Sequence, residues 1–173
     1  MNTAYLILGG NKGDKLQNLE QAIALIAEKV GVIVGRSDIF VTAAWGNTNQ
    51  PDFLNQVVCL KTPLSAIDLL KKTISIEHIL GRVRDHQKWM ERTMDIDILF
   101  YNDDIVNTSD LIIPHPLLQE RKFVLIPLAQ IAPMLVHPVF KKNIKTLLTE
   151  CPDKLEVIKY SGNKFAADKA FNK

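Results

Sequence analysis

Apolar residues come in short runs, and the spacing within those runs changes repeatedly along the chain. Tyr5–Gly9 is an unbroken apolar run closing on Gly9-Gly10, the mark of a buried strand and a turn. Leu16, Leu19, Ile23 and Ile26 then recur three or four residues apart, which predicts an amphipathic helix ending near Gly31. Val32–Val41 reads as one strand with Gly35 at a bulge, and Ala43–Pro51 as a polar loop. Phe53–Leu60 is a strand spaced to pair antiparallel with its predecessor. Pro63 opens a second helix with Leu64, Ile67, Leu70 and Ile74 on its buried face and Gly81 at its end. Arg82–Thr93 is polar and aperiodic, a loop of about a dozen residues, and loops of that length in compact domains usually serve function or are disordered.

Asp95–Tyr101 (DIDILFY) is the next strand, and Asn102-Asp103-Asp104 is a turn. Leu111–Pro116 is a short extended segment pinned by two prolines. Helices from Leu117 to about Ala132, interrupted at Pro127, and from Ile144 to Glu150 follow. Residues 152–173 form a peripheral tail: a strand-like piece (LEVIKY) and a frayed end. The order is β-α-β-β-α-β, then helices. That order predicts an α+β class, a ferredoxin-like antiparallel sheet with helices packed on it, in one domain spanning residues 1–173.

Composition narrows the function. The chain has 173 residues, 47% apolar and 23% charged, so it is globular and long enough for a core of its own. A net charge of +2 is too balanced to hold nucleic acid by bulk attraction. The most apolar stretch, Phe123–Val139, is broken by Gln130, three prolines and His137, which excludes a membrane span. Two cysteines without metal-type spacing, and no basic segment ahead of the first apolar run, lead to the expectation of a reduced, cytoplasmic protein, a monomer without nucleic-acid or membrane partners.

Asp95 and Asp97 are the sharpest chemical feature. Residues two apart on a strand share a face, so Ile96, Ile98 and Phe100 turn to the core while both carboxylates project together from the other side. Two like charges side by side repel and call for a cation, and hard oxygen ligands suit Mg²⁺. A solvated strand face is the plainer reading of the pair alone. Its neighbours favour chemistry: three of the five arginines, Arg82, Arg84 and Arg92, fall in the loop leading into Asp95, with Lys88 among them. Guanidiniums grip phosphate oxygens at two points, and metals on one side with guanidiniums on the other suit a nucleoside triphosphate. Phe53, Asn55 and Phe123 each read singly as core; taken together with Trp89 in that loop, they can sandwich a planar heterocycle. His115 between two prolines is open to a phosphate or to local stacking. Gly9-Gly10-Asn11-Lys12-Gly13 lacks the endings of a phosphate loop and is a weak nucleotide signal.

The segment GRVRDHQKWMERTMDIDILFYNDDIVNTSDLIIPHPLLQERKFVLIPLAQIAP resembles the centre of the hydroxymethyl-dihydropterin pyrophosphokinase family of folate biosynthesis, and LGGNKGDKLQNL and QPDFLNQVV resemble its opening and its pterin-side strand. The likeness covers roughly residues 4–138. It implies an α+β fold, transfer of diphosphate from ATP to the hydroxymethyl oxygen of a reduced pterin, release of AMP, and two Mg²⁺. Carried over by motif, it implies Asp95 and Asp97 as metal ligands, with Asp95 near the attacking hydroxyl and Arg82 and Arg92 on the phosphates. Glu77, Arg84, Lys88, Ile98, His115 and Arg121 would serve ATP, with Ile98 in an adenine slot. Thr42, Ala43, Phe53, Asn55, Trp89 and Phe123 would frame the pterin. The chain departs from the family's Thr-Pro-Pro at Thr42-Ala43-Ala44 and from its Gly-Pro at Met90-Glu91. Two other readings stand beside the enzyme: a catalytically slow pterin- or nucleotide-binding relative, and a ferredoxin-like RNA-binding module.

Overall fold

The computed structural model describes residues 1–44, 50–82 and 91–162. β1 (Asn2–Gly10) leads to α1 (Lys15–Lys29), which Asp14 caps by accepting the Gln17 N–H at 3.0 Å. β2 (Val32–Arg36), β3 (Phe40–Thr42) and β4 (Phe53–Thr62) follow, then α2 (Ala66–Ile79) and β5 (Asp95–Tyr101). A small ladder pairs β6 (Val106–Asn107) with β7 (Ile112–Ile113), which precedes a cis Ile113–Pro114 bond. A 3-10 turn (Leu118–Glu120), α3 (Lys122–Ile131), α4 (Ile144–Glu150) and β8 (Val157–Lys159) complete the chain.

The main sheet runs β5-β1-β4-β3-β8, with β2 also pairing along β4, and its pairings are antiparallel. Counting β2 and β3 as one interrupted strand, this is the expected α+β, ferredoxin-like order. One face carries Ala4, Leu6, Leu8, Leu54, Val58, Ile96 and Ile98 under Leu19, Ile23 and Ile26 of α1 and Leu69 and Ile76 of α2. The other carries Ile7, Val57, Leu99 and Phe100 under Val124, Leu125 and Leu128 of α3 and Ile144 and Leu147 of α4.

Several expectations are corrected. Val32–Val41 is two strands: the register does slip at Gly35, and at Ser37 the backbone N–H still donates to the Val57 carbonyl at 2.9 Å while the Val57 N–H is taken by the Ser37 hydroxyl at 3.0 Å in place of a backbone carbonyl. α2 starts at Ala66, not Pro63, because Ser65 caps it by accepting the Asp68 N–H at 3.2 Å. Its buried face is Leu69, Thr73, Ile76 and Glu77, while Ile67 is 41% exposed. Pro127 sits inside α3 without ending it; the interruption falls at Arg121, between the 3-10 turn and α3. Phe100 lies opposite Ile96 and Ile98. Tyr5 pairs with Phe100 and Leu6 with Ile98, so Leu99 is an extra residue whose bulge reverses the alternation.

Gly31 joins α1 to β2 where a Cβ would lie 2.2 Å from the Lys61 carbonyl oxygen. Gly31→Ala therefore forces backbone apart and should destabilise the fold by about 1–3 kcal/mol, read as a lowered urea midpoint. The position lies at the end of the sheet remote from Gly10, so ligand affinity should be unchanged.

Candidate active site

Strand register builds the site. Gly9 opposes Asn55 on β4 and Asp95 on β5, and Ile7 opposes Val57 and Asp97. Asn55 and Asp95 thus stand two strands apart, about 9–10 Å between backbones, with glycine between them. A Cβ at Gly9 would lie 2.7 Å from Asn55 Oδ1, so the missing side chain leaves an open floor. A cavity of about 300 Å³ lies over it, lined by Gly9, Thr42, Ala43, Ala44, Gln50, Phe53, Asn55, Arg92, Asp95, Asp97, His115, Arg121 and Phe123, with Ile7, Leu99 and Val124 beneath. That volume is at the lower end of small-ligand sites.

At one end, buried Asn55 donates Nδ2 to Thr42 Oγ1 at 2.9 Å, which fixes its amide on the cavity wall. At the other, each oxygen of Asp95 is held by a guanidinium, Oδ1 by Arg82 and Oδ2 by Arg92. Arg82 also meets Glu77 Oε1 at 2.6 Å, and that same oxygen accepts the Ile96 N–H at 2.8 Å. Burial works against the charge on Asp95, but the two guanidiniums outweigh it and hold the carboxyl below the usual aspartate range. Asp97 has the opposite balance. Burial, then the charges of Asp95 and Glu77, push it up to about 7 despite Arg82 and Arg121.

His115 is pushed down to about 4 by burial and by Arg121 beside it. It is therefore neutral near pH 7, and its Nδ1 accepts the Leu117 N–H at 3.3 Å, which leaves Nε2–H as the donor. Arg121 lies 5.8 Å from the Phe123 ring centre, so one guanidinium covers the aromatic wall.

The cavity thus brings together Thr42, Ala43, Phe53, Asn55, Arg92, Asp95, Asp97, His115, Arg121 and Phe123. Arg82 and Glu77 join through Asp95. Ile98 does not line it: at 5% exposure it packs across the sheet in the core that α1 and α2 cover. Arg84, Lys88 and Trp89 lie outside the described residues. Two positioning residues escaped the sequence reading. Buried Asn11 donates Nδ2 to Gln50 Oε1 and to the Pro51 carbonyl at 3.2 Å and accepts the Arg92 N–H at 2.8 Å, tying both ends of the cavity mouth to the end of β1. Asp153 accepts the Lys122 N–H at 3.0 Å and so caps α3, which carries Phe123. An asparagine among glycines reads only as a turn, and an aspartate 31 positions from its partner carries no local signal.

Among the described residues no group of three His, Cys, Asp or Glu side chains could hold a metal. A cation held by Asp95 and Asp97 would draw most of its coordination from oxygens of a ligand and water. No helix of the described residues is long and apolar enough to cross a membrane.

A layered α+β fold with opposed carboxylates and guanidiniums at one end of an aromatic-walled cavity defines a protein that handles a polyanion beside a flat ring. The family model for 7,8-dihydro-6-hydroxymethylpterin-pyrophosphokinase (HPPK) matches residues 5–133. A 2-amino-4-hydroxy-6-hydroxymethyldihydropteridine pyrophosphokinase of Aquifex aeolicus is 39% identical over 150 residues, covering 87% of this chain and 92% of the relative. Its Bacillus subtilis counterpart is 45% identical over 131 residues, 75% of this chain and 78% of the relative. The chain belongs to the 7,8-dihydro-6-hydroxymethylpterin-pyrophosphokinase family. A crystal structure of Plasmodium falciparum HPPK-DHPS with pteroate shares the fold, with a TM-score of 0.71 at 17% identity over 86% of this chain. The chain spans 44% of that longer protein.

Asp97 makes stability depend on pH. Its carboxyl titrates near 3.8 in the unfolded chain and near 7 in the fold. Between those values the folded state binds the extra proton, so rising pH destabilises it. His115 runs the other way between about 4 and 6.5, since its unfolded form is protonated there while the folded ring is neutral. The contribution of Asp97 therefore shows in the difference between Asp97→Asn and the native chain. In metal-free buffer the variant's advantage should grow from pH 4 to 7 and level off above, measured by urea unfolding; a pH-independent difference would contradict the assignment. Gly9→Ala should fill the cavity floor and crowd Asn55, weakening binding of a planar heterocycle about tenfold or more by titration, with little change in nucleotide affinity.

Proposed function

We propose that the cavity transfers the terminal diphosphate of ATP to the hydroxymethyl oxygen of 6-hydroxymethyl-7,8-dihydropterin, giving the pterin diphosphate and AMP, a step of folate biosynthesis. One observation carries this reading: the Asn55 amide with the Phe53 and Phe123 rings, and the Asp95–Asp97 pair with Arg92 and Arg121, line the same cavity. The pterin ring lies between the phenyl rings with its amide edge toward Asn55. Arg82, Arg92 and Arg121 take phosphate oxygens, and His115 adds a neutral N–H donor. Glu77 orients Arg82 from below.

Asp95 and Asp97 are suited to two Mg²⁺. The pair is half-buried, and the raised pKa of Asp97 marks a carboxylate short of a cation. Bound there, the ions would neutralise charge on the β- and γ-phosphates. The protein's own task is positioning. Asn55 and the rings hold the hydroxymethyl oxygen, the guanidiniums hold the phosphates, and the two reactants meet across the Gly9 floor. The hydroxymethyl oxygen bonds to the β-phosphorus and gives up its proton to water, the bond from that phosphorus to the α–β bridging oxygen breaks, and AMP leaves with the bond electrons. Such alignment is worth about 7–11 kcal/mol in favourable cases. The cytoplasmic monomer belongs to the same proposal, and both cysteines are free thiols, as suits a reducing compartment.

Incubation with ATP, Mg²⁺ and the reduced pterin should yield AMP in step with pterin diphosphate; steady release of ADP would overturn the reading. Asp97→Ala should lower turnover at least about a thousandfold, since a charge clamp at the transition state is worth several kcal/mol. Its circular dichroism should stay native. Retention of more than a few per cent of activity at saturating Mg²⁺ would exclude the metal role.

A further inference from the structure

The contacts around Asp95 pose a problem for the ligands that the proposed function assigns. The groups meant for phosphate and the group meant for metal are already bound to each other. Asp95 gives one oxygen to Arg82 and the other to Arg92, and Arg82 is held on its far side by Glu77 at 2.6 Å. Among the described residues, three guanidiniums (Arg82, Arg92 and Arg121) face three carboxylates (Glu77, Asp95 and Asp97). A polyphosphate arriving alone must pull arginines from Asp95 and strand that carboxylate half-buried beside Asp97. A cation arriving alone must take Asp95, which leaves Arg82 to Glu77 alone and deprives Arg92 of the carboxylate it grips. Leaving one member of a buried pair unmatched costs far more than exchanging partners.

We infer that Asp95 is an exchange latch: nucleotide and Mg²⁺ bind by swapping partners, the guanidiniums passing from Asp95 to phosphate as the carboxylate passes to the cation. Each ligand completes the exchange the other needs, so the two bind with strong positive coupling, and by linkage the coupling is reciprocal. The inference rests on the ATP and Mg²⁺ assignment above and adds the energetic order of assembly. Asp97 enters differently. It stands near the same charges but does not grip Arg82 or Arg92 in the described contacts, so it attracts the cation without locking the arginines.

The test is ATP binding by calorimetry, with EDTA and with Mg²⁺. In EDTA, Asp95→Asn should bind ATP about tenfold tighter than the native chain, because Arg92 is released and Arg82 keeps only Glu77. The same variant should lose most of the enhancement that Mg²⁺ gives. Asp97→Asn should lose the enhancement too, yet gain far less affinity in EDTA. Equal gains in the two variants would reduce the effect to net charge and overturn the latch, as would no gain in Asp95→Asn with native circular dichroism. The reciprocal arm does not depend on that variant folding: Arg92→Gln should bind Mn²⁺ several-fold tighter without nucleotide, followed by electron paramagnetic resonance. Unchanged Mn²⁺ affinity would also overturn the latch. Failure of the native chain to bind ATP even with Mg²⁺ would instead remove the functional assignment.

Discussion

The register of β1 between β4 and β5 is the constraint on which the site depends. Because side chains alternate along a strand, a slip of one residue would carry Asn55 and Asp95 beneath α1 and α2 and put Leu54 and Ile96 into the cavity. Burial of the inner row prevents it. Leu6, Leu8, Leu54, Ile96 and Ile98 are each at most 5% exposed, and each such side chain contributes about 1.5–3 kcal/mol when removed from water. Their sum far exceeds anything the polar face gains or loses. The apolar side of the sheet therefore places the polar side, and Gly9 converts a tight three-strand crossing into a floor.

The bulge at Leu99 explains where that floor ends. It turns both Leu99 and Phe100 to the outer face, where with Ile7 and Val57 they make an apolar platform for α3 and α4. Toward Gly10 the outer face holds Gly9, Asn55, Asp95 and Asp97, which offer a helix nothing to bury against. The helical layer stops there. α3 begins at Lys122, with Arg121 and Phe123 at its overhanging end, and Asp153 secures that end by capping it. The cavity is the region where the second layer has lost its apolar partner.

Much of this was legible in the sequence because it rests on periodicity. The α-β order, the two-residue spacing of Asp95 and Asp97, and the aromatic positions 53 and 123 all follow from alternation or local composition. Phe100 defeated the same rule, since one unpaired residue shifts the parity and a bulge carries no mark at Leu99. α2 was read with its stripe turned toward Ile67 and Ile74 because those residues are apolar. The true stripe includes Thr73 and Glu77, and Glu77 is buried for its ion pair with Arg82, not for hydrophobicity. Ile98 shows the limit of resemblance in another way: its place on the strand puts its side chain in the core under α1 and α2, away from the cavity. Asn11 and Asp153 act through backbone N–H groups 81 and 31 positions away, contacts that no window along the chain contains.

A last consequence concerns how a binding site for highly charged ligands stays folded without them. Charge that waits unpaired for a ligand would weigh on a fold whose net stability is only about 5–15 kcal/mol. Here the opposing groups are balanced against one another inside the protein, and Asp97, which burial and its carboxylate neighbours push up to about 7, is the least compensated of them. Arginine suits this arrangement better than lysine. Its guanidinium stays charged when half-buried and offers several donors in one plane, so Arg82 can hold Glu77 and Asp95 together. Lysine in the same place would present a point charge without the planar set of donors. The same planar donors fit the oxygens of a phosphate chain, so groups that stabilise the free protein need only change partners to bind its substrate.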